Sequence, residues 1–237
     1  MILHKNYDLF FDAIIAASDY YNITPPIIEK DYYVTCFLKK IKEKIPQLLF
    51  KGGTSLLKCY KIIDRFSEDI DLTLDESSMT QGNKKKLKQA IIETCDELGF
   101  VIKNLDSIRI CRDYNRYEIG YPIGFDGVGI KQYILVETVY MLKAYPAENG
   151  KTSSIIYDFF NEIKEYELIK DYNLEPFFMR VQSLERTLVD KVFAICDYML
   201  LGRVSDHSRH IYDLYKLLDK VILDDNLNNK FYMMKRI

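Results

Sequence analysis

Tryptophan is absent from the 237-residue chain, and histidine is scarce, at three residues. With 19 tyrosines and 13 phenylalanines the chain still carries ample aromatic area, so this absence fixes no function. Cysteine is sparse and unpaired in pattern. Cys36, Cys59, Cys95, Cys111 and Cys196 are odd in number and form no C-x-x-C motif. That argues against a disulfide framework and for reduced, structural thiols. No stretch approaches the ~18 consecutive apolar residues of a membrane span. The first residues meet Asp8 before any apolar run develops, so no secretory segment is read there. The expectation is a cytoplasmic protein without a membrane anchor. An excess of one charge is missing too: Lys+Arg is 33 against Asp+Glu 35, a net charge of −2. This excludes a globally basic nucleic-acid coat but leaves room for a local basic patch. Repeats and low-complexity tracts are also lacking. What is present, 48% apolar and 29% charged residues, describes a folded chain long enough to bury a core without staples.

Hydrophobic periodicity predicts a helix over 7–22, and a second that starts at Thr24-Pro25-Pro26, with Thr24 as its cap, and runs to about Lys44. Leu48-Leu49-Phe50 reads as a buried strand ending in a sharp turn at Gly52-Gly53, with a helix over 54–60. A strand over 70–74 follows, then a helix over 81–98 closed by Gly99. Strands over 100–103, 107–121 and 132–142 form a β-meander. Composition shifts after Asn149-Gly150, beyond which helices are expected over 152–164, 183–201 and 206–220. The predicted organisation is α+β: an α/β part over 1–150 and a mainly helical part over 151–237.

Chemistry concentrates in Leu49-Phe50-Lys51-Gly52-Gly53-Thr54-Ser55 and Arg65-Phe66-Ser67-Glu68-Asp69-Ile70-Asp71-Leu72. Asp69 and Asp71 are i and i+2 on a strand, so both carboxylates share a face, with Cα atoms about 6.5 Å apart. Two like charges side by side repel. A Mg²⁺ ion, which takes oxygen ligands at about 2.0–2.1 Å, relieves that cost. Ile70 and Leu72 point the other way, into a core. The two glycines let the backbone turn tightly and approach a ligand. The helix start beyond them offers free N–H groups, and Thr54 and Ser55 add hydroxyls. A phosphate cradle followed by a carboxylate pair describes a nucleoside-triphosphate site with metal.

Gly52-Gly53 and Asp69-Ile70-Asp71-Leu72 resemble the signature of the DNA polymerase β-like nucleotidyltransferases, with a slightly longer spacer. The flanking residues narrow this to a resemblance to the AbiEii/AbiGii toxin family of bacterial toxin–antitoxin and phage-abortive systems. Glu185-Arg186-Thr187-Leu188-Val189-Asp190-Lys191 is similar to the family's lysine-bearing helix, and Arg209-His210-Ile211-Tyr212-Asp213-Leu214 to its Arg-x-x-x-Asp-Leu helix. The resemblance implies a mixed nucleotidyltransferase sheet with flanking helices, the helical part completing the cleft. It implies transfer of a nucleoside monophosphate from an NTP to an acceptor, foremost the 3′ end of tRNA, with protein as another acceptor, and a cognate antitoxin as partner. Gly52, Gly53, Thr54, Ser55 and Lys191 would hold the NTP, and Asp69 and Asp71 the metal, following a two-metal logic with ions about 3.5–4 Å apart. The superfamily's third carboxylate is assigned to Glu137, with Glu118 as the other candidate.

Several residues keep two readings. Lys191 is either a snorkelling surface lysine or a cation for the triphosphate. Asp213 either pairs with Arg209 at i−4 or serves the site, orienting Lys191 or contacting the nucleotide. Lys51 and Arg65 face a choice between ion pairs and phosphate. His207 and His210 share a helix face, but no further ligand completes a zinc site. Asn83-Lys84-Lys85-Lys86-Leu87-Lys88 is a solvated charge run or a grip on RNA backbone, and Tyr114-Asn115-Arg116-Tyr117 packs in the core or stacks bases. Two other functions compete: a non-catalytic nucleotide- or antitoxin-binding protein of the same fold, and a metal-dependent ribonuclease using the same acids.

Overall fold

The computed structural model describes residues 2–75, 78–109, 113–127, 129–140, 146–203 and 207–222. Cys111 and Asp206 lie outside them. After a 3₁₀ turn at Leu3–Lys5 come α1 (Tyr7–Tyr21), α2 (Pro25–Lys44), β1 (Leu48–Lys51), α3 (Gly52–Lys58), β2 (Asp69–Leu74) and α4 (Gln81–Leu98). Then follow β3 (Val101–Ile102), β4 (Tyr114–Gly120), β5 (Ile134–Val139), β6 (Ala147–Thr152), α5 (Ile155–Glu162), α6 (Tyr166–Asp171), β7 (Phe177–Gln182), α7 (Leu184–Leu200) and α8 (Ser208–Leu218).

The seven strands form one mixed sheet in the order β3-β4-β5-β2-β1-β7-β6. β3, β4 and β5 are the expected meander, antiparallel throughout. β5 then lies parallel to β2, β2 antiparallel to β1, and β7 parallel to β1. The division expected at residue 150 falls inside β6, which pairs with β7 along its whole length. Segment 151–237 therefore supplies a strand to the interior of the sheet as well as helices. The sequence hides these two strands: Ala-Glu-Asn-Gly-Lys-Thr has no apolar alternation, and on β7 Phe178 is exposed while Met179 and Val181 are buried. Residues 107–109 lie outside β4; Ser107 instead closes a second 3₁₀ turn at Leu105–Ser107.

Alternation on the strands sets the two faces of the sheet. Ile70, Leu72 and Leu74 of β2, Leu48 and Phe50 of β1, and Ile134 and Val136 of β5 enter the main core with α1, α2, α4 and α5. α2 is buried from Ile28 to Val34 without interruption. A helix buried all round is a central one, yet Glu29, Lys30 and Asp31 sit inside this stretch. Each has partners. Glu29 accepts from the backbone N–H of Gly124 and Phe125, and Asp31 accepts from Lys58 Nζ (2.5 Å) and from the N–H of Ile155 at the start of α5. Lys30 pairs with Glu68. A second, smaller cluster of Leu56, Ile63, Leu188, Leu217 and Val221 seats α7 and α8 against α3 and the loop after it.

Thr80, Ser154 and Ser183 cap α4, α5 and α7 through their side chains. Thr24 makes no side-chain cap. Pro25 and Pro26 lack the N–H groups of the first turn, and the first available donor, Ile27 N–H, bonds the Thr24 carbonyl. The described cysteines are all free. No helix among the described residues is long and apolar enough to cross a membrane.

Candidate active site

The face of the sheet opposite the main core carries a row of charges. Lys51 on β1 is in register with Asp71 on β2, Asp71 with Glu137 on β5, and Glu137 with Arg116 on β4. Neighbouring strands lie about 4.8 Å apart, so the row is continuous. Asp69 sits two residues before Asp71 on the same face, opposite Leu135. Glu118 shares this face but meets Arg116 at 3.5 Å and lies opposite Leu135, beyond the row.

Asp71 lies at the centre of the row. Burial pushes its carboxyl up to about 7; Glu137 and Asp69 push the same way, while Lys51 and Lys191 oppose them. Its side chain lies directly over the glycine turn. A Cβ at Gly52 would stand 1.9 Å from Asp71 Oδ2, and the residue has φ +79°. Only glycine satisfies both conditions. At Gly53 a Cβ would meet the Arg65 guanidinium and the Ser67 hydroxyl, each at 2.9 Å, with Asp213 Oδ2 at 3.7 Å. The two glycines thus have the carboxylate row on one side and an ion cluster on the other.

That cluster joins distant parts of the chain. Asp213 of α8 is fully buried and accepts from Arg65 Nε (2.9 Å) and Nη2 (2.7 Å), a bidentate pair, and from Lys191 Nζ of α7 at 2.6 Å. Burial alone would raise the Asp213 pKa; the Arg65 hydrogen bonds and the Lys191 ammonium outweigh it and hold the acid below its ordinary value. Lys191 is buried, not snorkelling. Of the two readings for Asp213 the geometry gives the second: it holds Lys191, while Arg209 is exposed. The loop before β2 also anchors α8 through Asp64, whose N–H donates to Tyr212 Oη and whose carboxylate meets Lys216 Nζ at 2.6 Å.

Thr54 and Ser55 do not offer free hydroxyls. Both are fully buried. Thr54 Oγ1 donates to the Asp69 carbonyl at 2.5 Å and lies 2.9 Å from Ser67 Oγ, while Ser55 Oγ donates to the Gly52 carbonyl at 2.8 Å. They brace the turn; in this state their hydroxyl protons are committed to the protein. Position on a first helical turn indicates that a hydroxyl is near, not which way it faces.

His210 lies beside the ion cluster, lowered to about 4 by burial first and by Lys191 next, and its Nδ1 is buried without a hydrogen bond. His207 stacks on Tyr198 at 3.5 Å, with the rings nearly parallel. In the lysine run, Lys84 is buried against Asp113 and over the Tyr140 ring, while Lys85 and Lys86 are exposed. Tyr117 is core, whereas Tyr114 is exposed and its Oη donates to Glu137 at 2.5 Å. Four residues that sequence reasoning did not single out shape the site. Lys30 binds Glu68, Lys131 meets Asp69, and Lys58 ties α3 to Asp31 of α2. Three consecutive charges in a helix otherwise flanked by apolar residues are the signal that could have found this network.

A family model described as "Nucleotidyl transferase AbiEii toxin, Type IV TA system" matches residues 37–233, most of the chain. The chain belongs to the AbiEii family. Among solved structures it is similar to MenT4, a nucleotidyltransferase toxin from Mycobacterium tuberculosis, at 16% identity and TM-score 0.48, over 76% of this chain and 57% of that one. It is also similar to JHP933 from Helicobacter pylori, at 19% identity and TM-score 0.43, over 78% and 64%. The chain spans less than two thirds of the length of either. No curated protein matches.

AbiEii membership implies a divalent cation, and the donors fit it in kind: Asp69, Asp71 and Glu137 are oxygen ligands on one face, two of them in register. Among the described residues no three acids, histidines or cysteines are gathered around a common point. The reason is visible in their partners: Asp69 is turned to Lys131, Glu137 to Tyr114, and Asp71 to the glycine turn.

Proposed function

We propose that this AbiEii chain is a toxin that transfers a nucleoside monophosphate from an NTP to an acceptor in a Mg²⁺-dependent reaction, and that the acceptor is the 3′ end of tRNA. The observation that carries the reading is the glycine turn flanked on one side by Asp71 and on the other by Arg65, Asp213 and Lys191. An anion-tolerant backbone, a cation fixed by a buried acid, and a carboxylate row then converge on one spot.

Asp69 and Asp71, with Glu137, would hold the cation, which when bound supplies charge neutralisation and Lewis acidity at the phosphates. Gly52 and Gly53 let the turn pass within contact of Asp71 on one side and of Arg65 and Ser67 on the other, which would bring a phosphate at the turn close to both. Lys191 would oppose the charge that builds on the phosphates, and Asp213 with Arg65 fixes its position so that little rearrangement is needed. The acceptor hydroxyl oxygen would bond to the α-phosphorus as the bond to the β-phosphate oxygen breaks and pyrophosphate leaves. Glu137, half-buried on β5 and in register with Asp71, would take the hydroxyl proton. An antitoxin encoded with the toxin would be the protein partner, as the type IV toxin–antitoxin family implies.

The test is incubation of the purified protein with Mg²⁺, total tRNA and each α-labelled NTP in turn, beside Asp71→Ala. We expect label on tRNA from one or two NTPs, abolished in the variant while its circular dichroism is retained. Label on protein alone would move the acceptor class. RNA shortened without any NTP would replace the transferase with a nuclease.

A further inference from the structure

Lys131 stands at the end of the carboxylate row, just before β5. Its Nζ lies 3.1 Å and 3.5 Å from the two carboxylate oxygens of Asp69 and 3.7 Å from Glu68 Oε1. The position is built. The Lys131 carbonyl accepts from Lys30 Nζ at 2.7 Å, and Lys30 is fully buried and paired with Glu68. Burial lowers the Lys30 pKa, and the Glu68 carboxylate opposes that shift. The backbone that carries Lys131 is therefore tied to the residue next to Asp69 in sequence. Its side chain is different in kind: both Lys131 and Asp69 are 36% exposed, at the edge of the cleft. A lysine there can leave for water without opening the core.

We propose that the Lys131 ammonium is the internal counter-cation of Asp69, holding that carboxylate away from Asp71 and Glu137, and that a divalent cation displaces it on binding. The inference rests on the metal-dependent reading above. It accounts for the absence of any gathered triad among the described residues. A row containing Asp69, Asp71 and Glu137 accumulates negative charge that needs counter-cations whenever no metal is bound. Lys51 lies in register with Asp71, whereas Asp69 has Lys131. Asp213 holds two monovalent cations at once, but a divalent ion carries twice the charge and needs the Asp69 oxygens turned to it, so the ammonium and the metal compete. An ordinary half-exposed ion pair contributes little to stability and would leave metal affinity alone.

The test is Mn²⁺ titration by calorimetry of the nucleotide-free protein, comparing wild type, Lys131→Met, Lys131→Arg and Asp71→Asn. Lys131→Met should bind Mn²⁺ about tenfold more tightly than wild type, the scale on which groups around a metal tune it. Lys131→Arg, which keeps the charge, should stay near wild type, and Asp71→Asn should lose binding. Lys131→Gln repeats the neutral arm if the Met variant fails to fold. Unchanged or weaker affinity in the neutral variants, with binding still lost in Asp71→Asn, overturns the displacement alone. Equal binding in wild type and Asp71→Asn removes the metal-dependent reading, and this inference with it.

Discussion

At the scale of single residues the site stores opposed protonation tendencies. Asp71 is raised to about 7 and His210 lowered to about 4, both by burial before any neighbour. His210 makes a clean prediction. Below its ordinary value of 6.5 the unfolded chain takes a proton that the folded chain refuses, so this histidine withdraws stability as pH falls from about 6.5 towards 4. The slope from one such group is at most about 1.4 kcal/mol per pH unit. Asp71 works the other way over the same interval, because the folded state there holds the extra proton. Comparison with His210→Gln cancels the Asp71 contribution. The difference between the two thermal melts should be flat above about pH 7 and shift in favour of His210→Gln as pH falls. A constant gap would mean that His210 takes its proton in the folded state as it does unfolded.

At the scale of elements, α2 does more than fill the core. Its Lys30 neutralises Glu68 and supports the Lys131 backbone, and its Asp31 fixes both Lys58 of α3 and the first turn of α5. Removing one partner of a buried pair leaves the other charge uncompensated. Lys30→Met should cost about 3–5 kcal/mol in urea denaturation, and Lys30→Met with Glu68→Gln should recover part of that loss. An additive double-mutant cycle would show the pair to be uncoupled. Elements were also unequal in how far the sequence exposed them. α2, α4, β1 and β2 carry their period and their start or stop signals locally, in Pro25, Gly99 and the Gly52-Gly53 turn, and so could be read from short windows. The Asp69/Asp71 pair is legible for the same reason. β6 is a polar edge strand whose identity comes only from pairing with β7, and the direction of the Thr54 and Ser55 hydroxyls depends on where β2 passes. Such features are properties of contacts, which a window cannot hold.

At the scale of the whole molecule, the sheet closes late. β7 pairs with β1 across more than half the chain, and α7 and α8 bring Lys191 and Asp213 back to a turn made near residue 52. A fragment of residues 1–150 lacks β7, leaves the edge of β1 bare and strands Arg65 without its acid. It should show no cooperative thermal transition by circular dichroism, while the full chain does. A sharp transition in the fragment would establish residues 1–150 as a unit that folds alone. The Arg65–Asp213 pair, separated by 148 positions, has a consequence for the cell that makes the protein. At roughly 5–20 residues per second of synthesis, the ribosome finishes the glycines and the aspartate pair roughly 7–30 s before it reaches Asp213. Through that interval the growing chain carries its carboxylates without the lysine clamp, so under the proposed function a truncated translation product should be harmless to its maker.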